Sequence, residues 1–148
     1  MYRLERSQIV RTPRSQVFAF FADATNLERL TPSSVGFTIV SPLPIEMKVG
    51  ARIEYRIRIS GVPVRWLTRI AAYEPDERFI DVQERGPYKL WHHTHTFHSV
   101  DGGTEIRDLV LYEIGMGPFG RLAHRAFVQH RLRAIFDYRS RVMNELFG

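Results

Sequence analysis

Between Arg52 and Ile59 the chain alternates without a break: Ile53, Tyr55, Ile57 and Ile59 are apolar, and Arg52, Glu54, Arg56 and Arg58 are charged. A period of two belongs to a strand with one buried and one wet face. The connection Ser60-Gly61-Val62-Pro63 leads into a second run, Val64 to Tyr73. Closing the two as a hairpin pairs Ile57 with Trp66, Tyr55 with Thr68 and Ile53 with Ile70. The same alternation returns in Trp91-His92-His93-Thr94-His95-Thr96-Phe97, where Trp91, His93, His95 and Phe97 share one face. Asp101-Gly102 then supplies the pair that a two-residue type I′ turn favours, before a further alternating run from Glu105 to Ile114. Counting from that turn sets Phe97 opposite Ile106, His95 opposite Asp108, His93 opposite Val110 and Trp91 opposite Tyr112. An apolar face thereby receives a His–Asp pair, which reads as the polar feature of an interior cavity.

The remaining pattern completes the frame. Tyr2 to Val10 reads as a first strand, and Thr12-Pro13 as the cap and first-turn proline of a helix through Val17, Phe18, Phe20 and Phe21. A second short helix is expected over Asn26 to Leu30, stopped by Thr31-Pro32, and a strand over Phe37 to Val40. Arg78 to Glu84 is another strand. A four-residue loop, Glu74 to Glu77, turns Phe79, Asp81 and Gln83 inward and is the preferred phase; a bulge selects Ile80 and Val82 instead. From Phe119 to Phe147 no proline interrupts a run of helix formers, so one long C-terminal helix is expected after Gly115-Met116-Gly117-Pro118. Its apolar stripe changes sides: Phe119, Leu122, Ala123, Ala126 and Phe127 share one face, and Val128, Leu132, Ile135, Phe136, Val142, Met143 and Leu146 lie nearly opposite. A bend, a rotation of contacts or a covering partner is needed.

With 148 residues, 44% of them hydrophobic, the chain (residues 1–148) is expected to form one domain with a real core. There is no cysteine, hence no disulfide or thiolate metal site. The N-terminal residues lack the apolar run of a signal peptide, and no stretch approaches the roughly 20 apolar residues of a membrane span, so a cytoplasmic protein without a membrane-spanning segment is expected. The net charge of +5 rests on arginine, since Lys48 and Lys89 are the only lysines. Arg121, Arg125, Arg131, Arg133, Arg139 and Arg141 spread around the last helix, which argues against a nucleic-acid partner.

The order strand, two short helices, six antiparallel strands and a long helix describes an α+β domain in which a curved sheet of about seven strands wraps the C-terminal helix. With Gly86-Pro87-Tyr88-Lys89-Leu90-Trp91-His92-His93-Thr94-His95-Thr96-Phe97, Asp108, Tyr112 and the Gly117 to His124 run, the chain resembles the START-like (SRPBCC) superfamily over essentially its whole length. Within that superfamily it resembles the bacterial polyketide cyclase/dehydrase-like proteins. The resemblance implies a helix-grip fold with a deep pocket for an apolar or amphipathic small molecule, lipid-like or polyketide-like. The superfamily hosts binders and enzymes alike.

Tyr55, Trp66, Trp91, His93, His95, Asp108 and Tyr112 are the large or polar members of the inward sets and are the expected ligand-binding residues, with Asp81 and Gln83 joining them in the preferred phase. Three chemistries are open to His93, His95 and Asp108. Metal ligation by two imidazoles and a carboxylate is not the expectation, because His-x-His without a clear further ligand is a weak signal. Acid–base catalysis would have Asp108 orient His95, with His93 or His95 moving a proton on a carbonyl-bearing substrate. The favoured reading is recognition: the pair satisfies itself and offers a hydrogen bond to a ligand's polar end. Expected, then, is a non-catalytic binder, monomer or homodimer, with no cofactor; the alternative is a cyclase/dehydratase-type enzyme using the His–Asp pair. His92, His98, His124 and His130 are read as ordinary surface residues.

Overall fold

The computed structural model describes residues 1–148. Seven strands form one antiparallel sheet: β1 (Tyr2–Val10), β2 (Thr38–Ile39), β3 (Arg52–Ile59), β4 (Val62–Glu74), β5 (Arg78–Arg85), β6 (Leu90–Val100) and β7 (Gly103–Glu113). Their spatial order is β1-β7-β6-β5-β4-β3-β2. Every connection from β2 to β7 therefore joins neighbours, and β1 closes the edge beside β7. Helix α1 (Arg14–Ala22) and two single-turn 3₁₀ helices (Ala24–Leu27 and Ser33–Val35) fill the link from β1 to β2. The last 31 residues before the terminal glycine form one continuous helical rod: α2 (Gly117–Ala123), a π-helical turn (His124–Val128) and α3 (Gln129–Phe147).

The β6–β7 hairpin has the expected register, with Trp91 opposite Tyr112, His93 opposite Val110, His95 opposite Asp108 and Phe97 opposite Ile106. Its turn is not type I′, because of the two turn residues only Gly102 takes a positive φ (78°). The primed turn lies in the other hairpin. There Ser60 and Gly61 both take positive φ, 51° and 80°, so Ile59 pairs directly with Val62. The expected β3–β4 pairing is thereby corrected by two residues: Tyr55 faces Trp66, Ile53 faces Thr68 and Ile57 faces Val64. A shift of two preserves the face, so the inward set survives.

The β4–β5 connection combines the loop and the bulge that the sequence offers as alternatives. Glu74 pairs with Arg78, which leaves a three-residue loop, and a bulge between Ile70 and Ala72 absorbs the difference. Ile70 therefore still faces Asp81 and Thr68 faces Gln83, placing Phe79, Asp81 and Gln83 in the inward phase.

Two local expectations are corrected. Thr12 does not cap α1: its hydroxyl donates to the carbonyl of Phe147 (3.0 Å), and Arg11 N–H donates to the same oxygen (2.9 Å). The tail of α3 is tied in this way to the end of β1. The second short helix begins earlier than Asn26, as the turn Ala24–Leu27, because the Asp23 carboxylate accepts from Thr25 N–H at its start. The strand expected over Phe37 to Val40 shortens to Thr38–Ile39.

The change of apolar side along the last helix is resolved by the π turn. One wide turn at His124–Val128 rotates the residues after it relative to those before it. Leu132, Phe136 and Met143 are consequently buried, while Phe119 and Leu122 stay exposed. Gly120 sits where a Cβ would lie 1.7 Å from the Gly115 carbonyl oxygen, so α2 can start this close to the preceding loop only with glycine there. The core has two parts. Val10, Val17, Phe18, Phe21, Leu30, Phe79, Phe97, Ile106 and Met143 pack at one end, and Trp66, Trp91, Val110, Tyr112, Leu132 and Phe136 at the other.

Candidate ligand-binding site

A cavity of about 330 Å³ lies between the inward face of the sheet and α3. Of its 31 lining residues 23 are hydrophobic, which makes it suited to a largely apolar guest. The strands contribute Ile53, Tyr55 and Ile57 from β3, Trp66, Thr68 and Ile70 from β4, Phe79 and Asp81 from β5, and Trp91, His93 and His95 from β6. The rod contributes Leu132, Ile135, Phe136 and Arg139, and the cavity reaches the surface beside Met116 and Phe127.

Six of the nine residues expected at the site line this cavity: Tyr55, Trp66, Asp81, Trp91, His93 and His95. Three do not. Gln83 is turned aside by the backbone of the β5–β6 loop, donating to Tyr88 O (2.7 Å) and accepting from Tyr88 N–H (3.0 Å). Tyr112 is buried, with its hydroxyl 2.7 Å from His124 Nε2. Asp108 lies outside the wall and meets the cavity through His93, His95 and Arg139.

The aromatic part of the wall is a chain of ring contacts. Trp66 meets Tyr55 at 5.8 Å and nearly parallel, Trp91 at 5.2 Å edge-on and Tyr88 at 5.5 Å. At the opposite end Phe79 stacks on His95 at 4.1 Å. Burial pushes the Tyr55 phenol up, and the Asp81 charge adds to that, so its hydroxyl stays protonated, 3.1 Å from Thr68 Oγ1.

The polar corner is a four-membered His–Asp network. The expected His95–Asp108 pair is corrected here: although the two are register partners, Asp108 Oδ1 takes its short hydrogen bond from His93 Nε2 (2.7 Å), while His95 Nε2 bonds Asp81 Oδ2 (2.5 Å). The second contacts cross over, with His95 Nδ1 3.4 Å from Asp108 Oδ1 and His93 Nδ1 3.8 Å from Asp81 Oδ2. Both imidazoles are over 95% buried. Arg139, from α3, reaches to 4.0 Å of Asp108 Oδ1, its guanidinium 5.0 Å from the Phe136 ring centroid and 5.8 Å from that of Phe21.

Burial acts against charge on all four network members, and the partners decide which remain charged. Asp81 is held below the usual carboxylate range because the His95 hydrogen bond and the neighbouring positive charges outweigh its burial. Asp108 is held well below that range: its burial acts the other way, but the His93 hydrogen bond, the His95 ring at 3.4 Å and the Arg139 charge outweigh it. For His95 burial is again the largest influence, but both carboxylates oppose it and its pKa is raised. Burial and the charge of His95 depress His93 to about 4. At neutral pH the corner therefore holds two carboxylates and a neutral His93, beside a His95 that takes a proton more readily than an ordinary imidazole.

Asp81, His93 and His95 each present a ligating atom within 4.8 Å of the others, the residue types of a metal site. In the geometry described, both Nε2 atoms are instead engaged as donors to carboxylates. Two functional residues escape sequence reasoning. Arg139 reads there as one of several arginines scattered round the helix; a signal is present, because Leu132, Phe136, Arg139 and Met143 fall on one helical face. His124, read as a surface residue, stacks on Tyr2 with ring centroids 3.5 Å apart and anchors the π turn to Tyr112. Nothing in its local sequence marks it.

A sheet gripping a C-terminal helix over an apolar cavity with one polar corner defines the helix-grip class of protein. Residues 1–142 match the family described as polyketide cyclase/dehydrase and lipid transport, and the chain belongs to that family. Among curated proteins none matches it. Solved structures share the fold. TTHA0849 from Thermus thermophilus is 18% identical with a TM-score of 0.77, over 97% of this chain and 95% of that one. CV1439 from Chromobacterium violaceum is 16% identical with a TM-score of 0.74, over 99% and 98%. Ara h 8.0201 is 16% identical with a TM-score of 0.64, over 96% and 97%. No helix is long and apolar enough to cross a membrane.

Proposed function

We propose that the protein binds one small apolar or amphipathic molecule, lipid-like or polyketide-like, in the cavity between sheet and α3, without turning it over. The observation that carries this reading is the composition of the wall, mostly hydrophobic with one buried, internally compensated polar corner. An apolar body gains roughly 25 cal/mol for each Å² it buries there, while a few polar groups fix its orientation. Trp66 and Trp91 both line the cavity and are the only tryptophans in the chain. Titration with amphipathic aromatic probes, followed by intrinsic tryptophan fluorescence, tests the reading: a saturable one-to-one change supports it, and no saturable change with any probe rejects it.

A specific observation favours a second reading, a cyclase- or dehydratase-type enzyme. Two stacked imidazoles with oppositely shifted pKa values make a donor and an acceptor of protons side by side. Product analysis with polyketide-like ketones separates the two. Turnover that is abolished by His95→Ala while probe binding persists would replace the binder by the enzyme.

A further inference from the structure

Helix α2 and the loop before it keep in water side chains that a folded chain ordinarily hides. Met116, Phe119 and Leu122 are 64–78% exposed. Phe119, Leu122 and Ala126 follow one another at helical spacing and form one outward strip. The helix cannot turn this strip inward. Gly120 is seated against the Gly115 carbonyl and His124 is bonded to Tyr112 of β7, so the opposite side of α2 is already committed to the loop and the sheet. Met116 is itself held outward at a positive φ of 60°, a conformation that a side chain of its size rarely adopts.

The charges beside the strip are of one sign. Between Glu113 and Asp137 the chain carries no acidic residue, and Arg121, Arg125, Arg131 and Arg133 fall in that interval. Arg125 stands three positions from Leu122 and four from Arg121, so these two arginines border the strip. Eight arginines elsewhere lie within 4.0 Å of a carboxylate, whereas these four are in no ion pair. Apolar side chains projecting among unpaired arginines suit the headgroup region of a bilayer, where the rings leave water and the guanidinium groups meet lipid phosphate. A second copy would instead set the same arginines against their own kind across a two-fold contact, which like-charge repulsion opposes. Nucleic acid would bring phosphates but no apolar phase for Phe119 and Leu122.

We propose that α2 and its preceding loop form a docking surface for anionic lipid bilayers, with Met116, Phe119 and Leu122 inserted at the headgroup boundary and Arg121 and Arg125 against lipid phosphates. The attachment is peripheral and needs no spanning helix. It stands apart from the binding reading, since Phe119, Leu122, Arg121 and Arg125 do not line the cavity.

Flotation of the intact chain with vesicles tests this, using phosphatidylcholine alone and phosphatidylcholine mixed with phosphatidylglycerol. Binding to the mixed vesicles is expected to be at least about tenfold tighter, because each arginine near an anionic surface contributes about fivefold. It should weaken as salt is raised to about 0.5 M. Phe119→Ser with Leu122→Ser, and separately Arg121→Gln with Arg125→Gln, should each lose about tenfold or more while remaining folded by circular dichroism. Ala126→Cys gives the chain its one cysteine, and an environment-sensitive dye attached there should brighten on the mixed vesicles. The same dye on Asp101→Cys, at the far end of the β6–β7 hairpin, should not. Absence of binding to the mixed vesicles, or binding that the serine pair leaves unchanged, overturns the proposal. A lipid-free dimer in sedimentation that the serine pair dissociates overturns it in favour of a second copy.

Discussion

The rings of His93 and His95 stack with centroids 3.6 Å apart, yet their Nε2 atoms serve different carboxylates, Asp108 and Asp81 respectively. Two imidazoles this close do not both take a proton readily, because the charge on one opposes the charge on the other. The network settles the competition in favour of His95, whose two ring nitrogens lie 2.5 and 3.4 Å from carboxylates, against 2.7 and 3.8 Å for His93.

Opposite titration is the first expected outcome. The His93 resonance should move with a midpoint near 4 and that of His95 above the ordinary histidine value of 6.5. The consequences for stability differ in sign. The contribution of His95 is full below 6.5 and fades as pH rises through its raised folded value; that of His93 is full above 6.5 and is lost as pH falls toward about 4. Histidine-detected nuclear magnetic resonance across the range from acid to mildly alkaline pH measures both, and a shared midpoint at the ordinary histidine value would contradict the network.

Asp81→Asn removes the carboxylate charge that holds His95 while keeping a group of the same shape. The His95 pKa should fall, and stability at pH 6 should drop by about 1–3 kcal/mol, the usual range for disturbing a buried hydrogen-bonded partner. Urea denaturation at pH 6 checks this against Asp101→Asn, an exposed turn residue, which should stay within about 0.5 kcal/mol of the parent.

The sheet's inward faces were legible because alternation at Arg52–Ile59 and Trp91–Phe97 leaves only one burial phase. The β3–β4 register was not: Ser60 is an unusual residue at positive φ, and without recognising a primed turn at Ser60-Gly61 the hairpin slips by two. Backbone register also did not decide which histidine reaches Asp108. His95 is its cross-strand partner, but side-chain direction gives the short bond to His93, a diagonal neighbour. Arg139 comes from α3, far along the chain from Asp108 on β7, and no local pattern joins the two.

Phe97 packs against Phe18, Phe21 and Phe79, with ring centroids 5.2–6.2 Å away. Phe97→Ala should cost about 3–5 kcal/mol, the range for an aromatic cavity in a core. Phe119, 78% exposed, gives the contrasting case, and Phe119→Ser should change stability by less than about 0.5 kcal/mol. Paired denaturation curves test both; a large loss for Phe119→Ser would mean that the exposed stripe of α2 is covered in solution.

Tyr112→Phe removes the hydroxyl that meets His124 and leaves the ring contacts with Tyr2 and Tyr88. A loss of about 1 kcal/mol is expected, with faster amide exchange concentrated at His124–Val128, since the π turn loses its anchor to the sheet. Unchanged exchange there would show that the turn holds itself.

Whether the space between sheet and α3 holds one small guest is decided most directly by native mass spectrometry. The chain is measured as purified and after incubation with neutral aromatic ketones, beside Ile135→Trp, which places a large ring into the cavity wall. A single adduct per chain is predicted, lost in Ile135→Trp although that variant remains folded by circular dichroism. No adduct with any of the compounds, or adducts that persist at the same stoichiometry in folded Ile135→Trp, would contradict it.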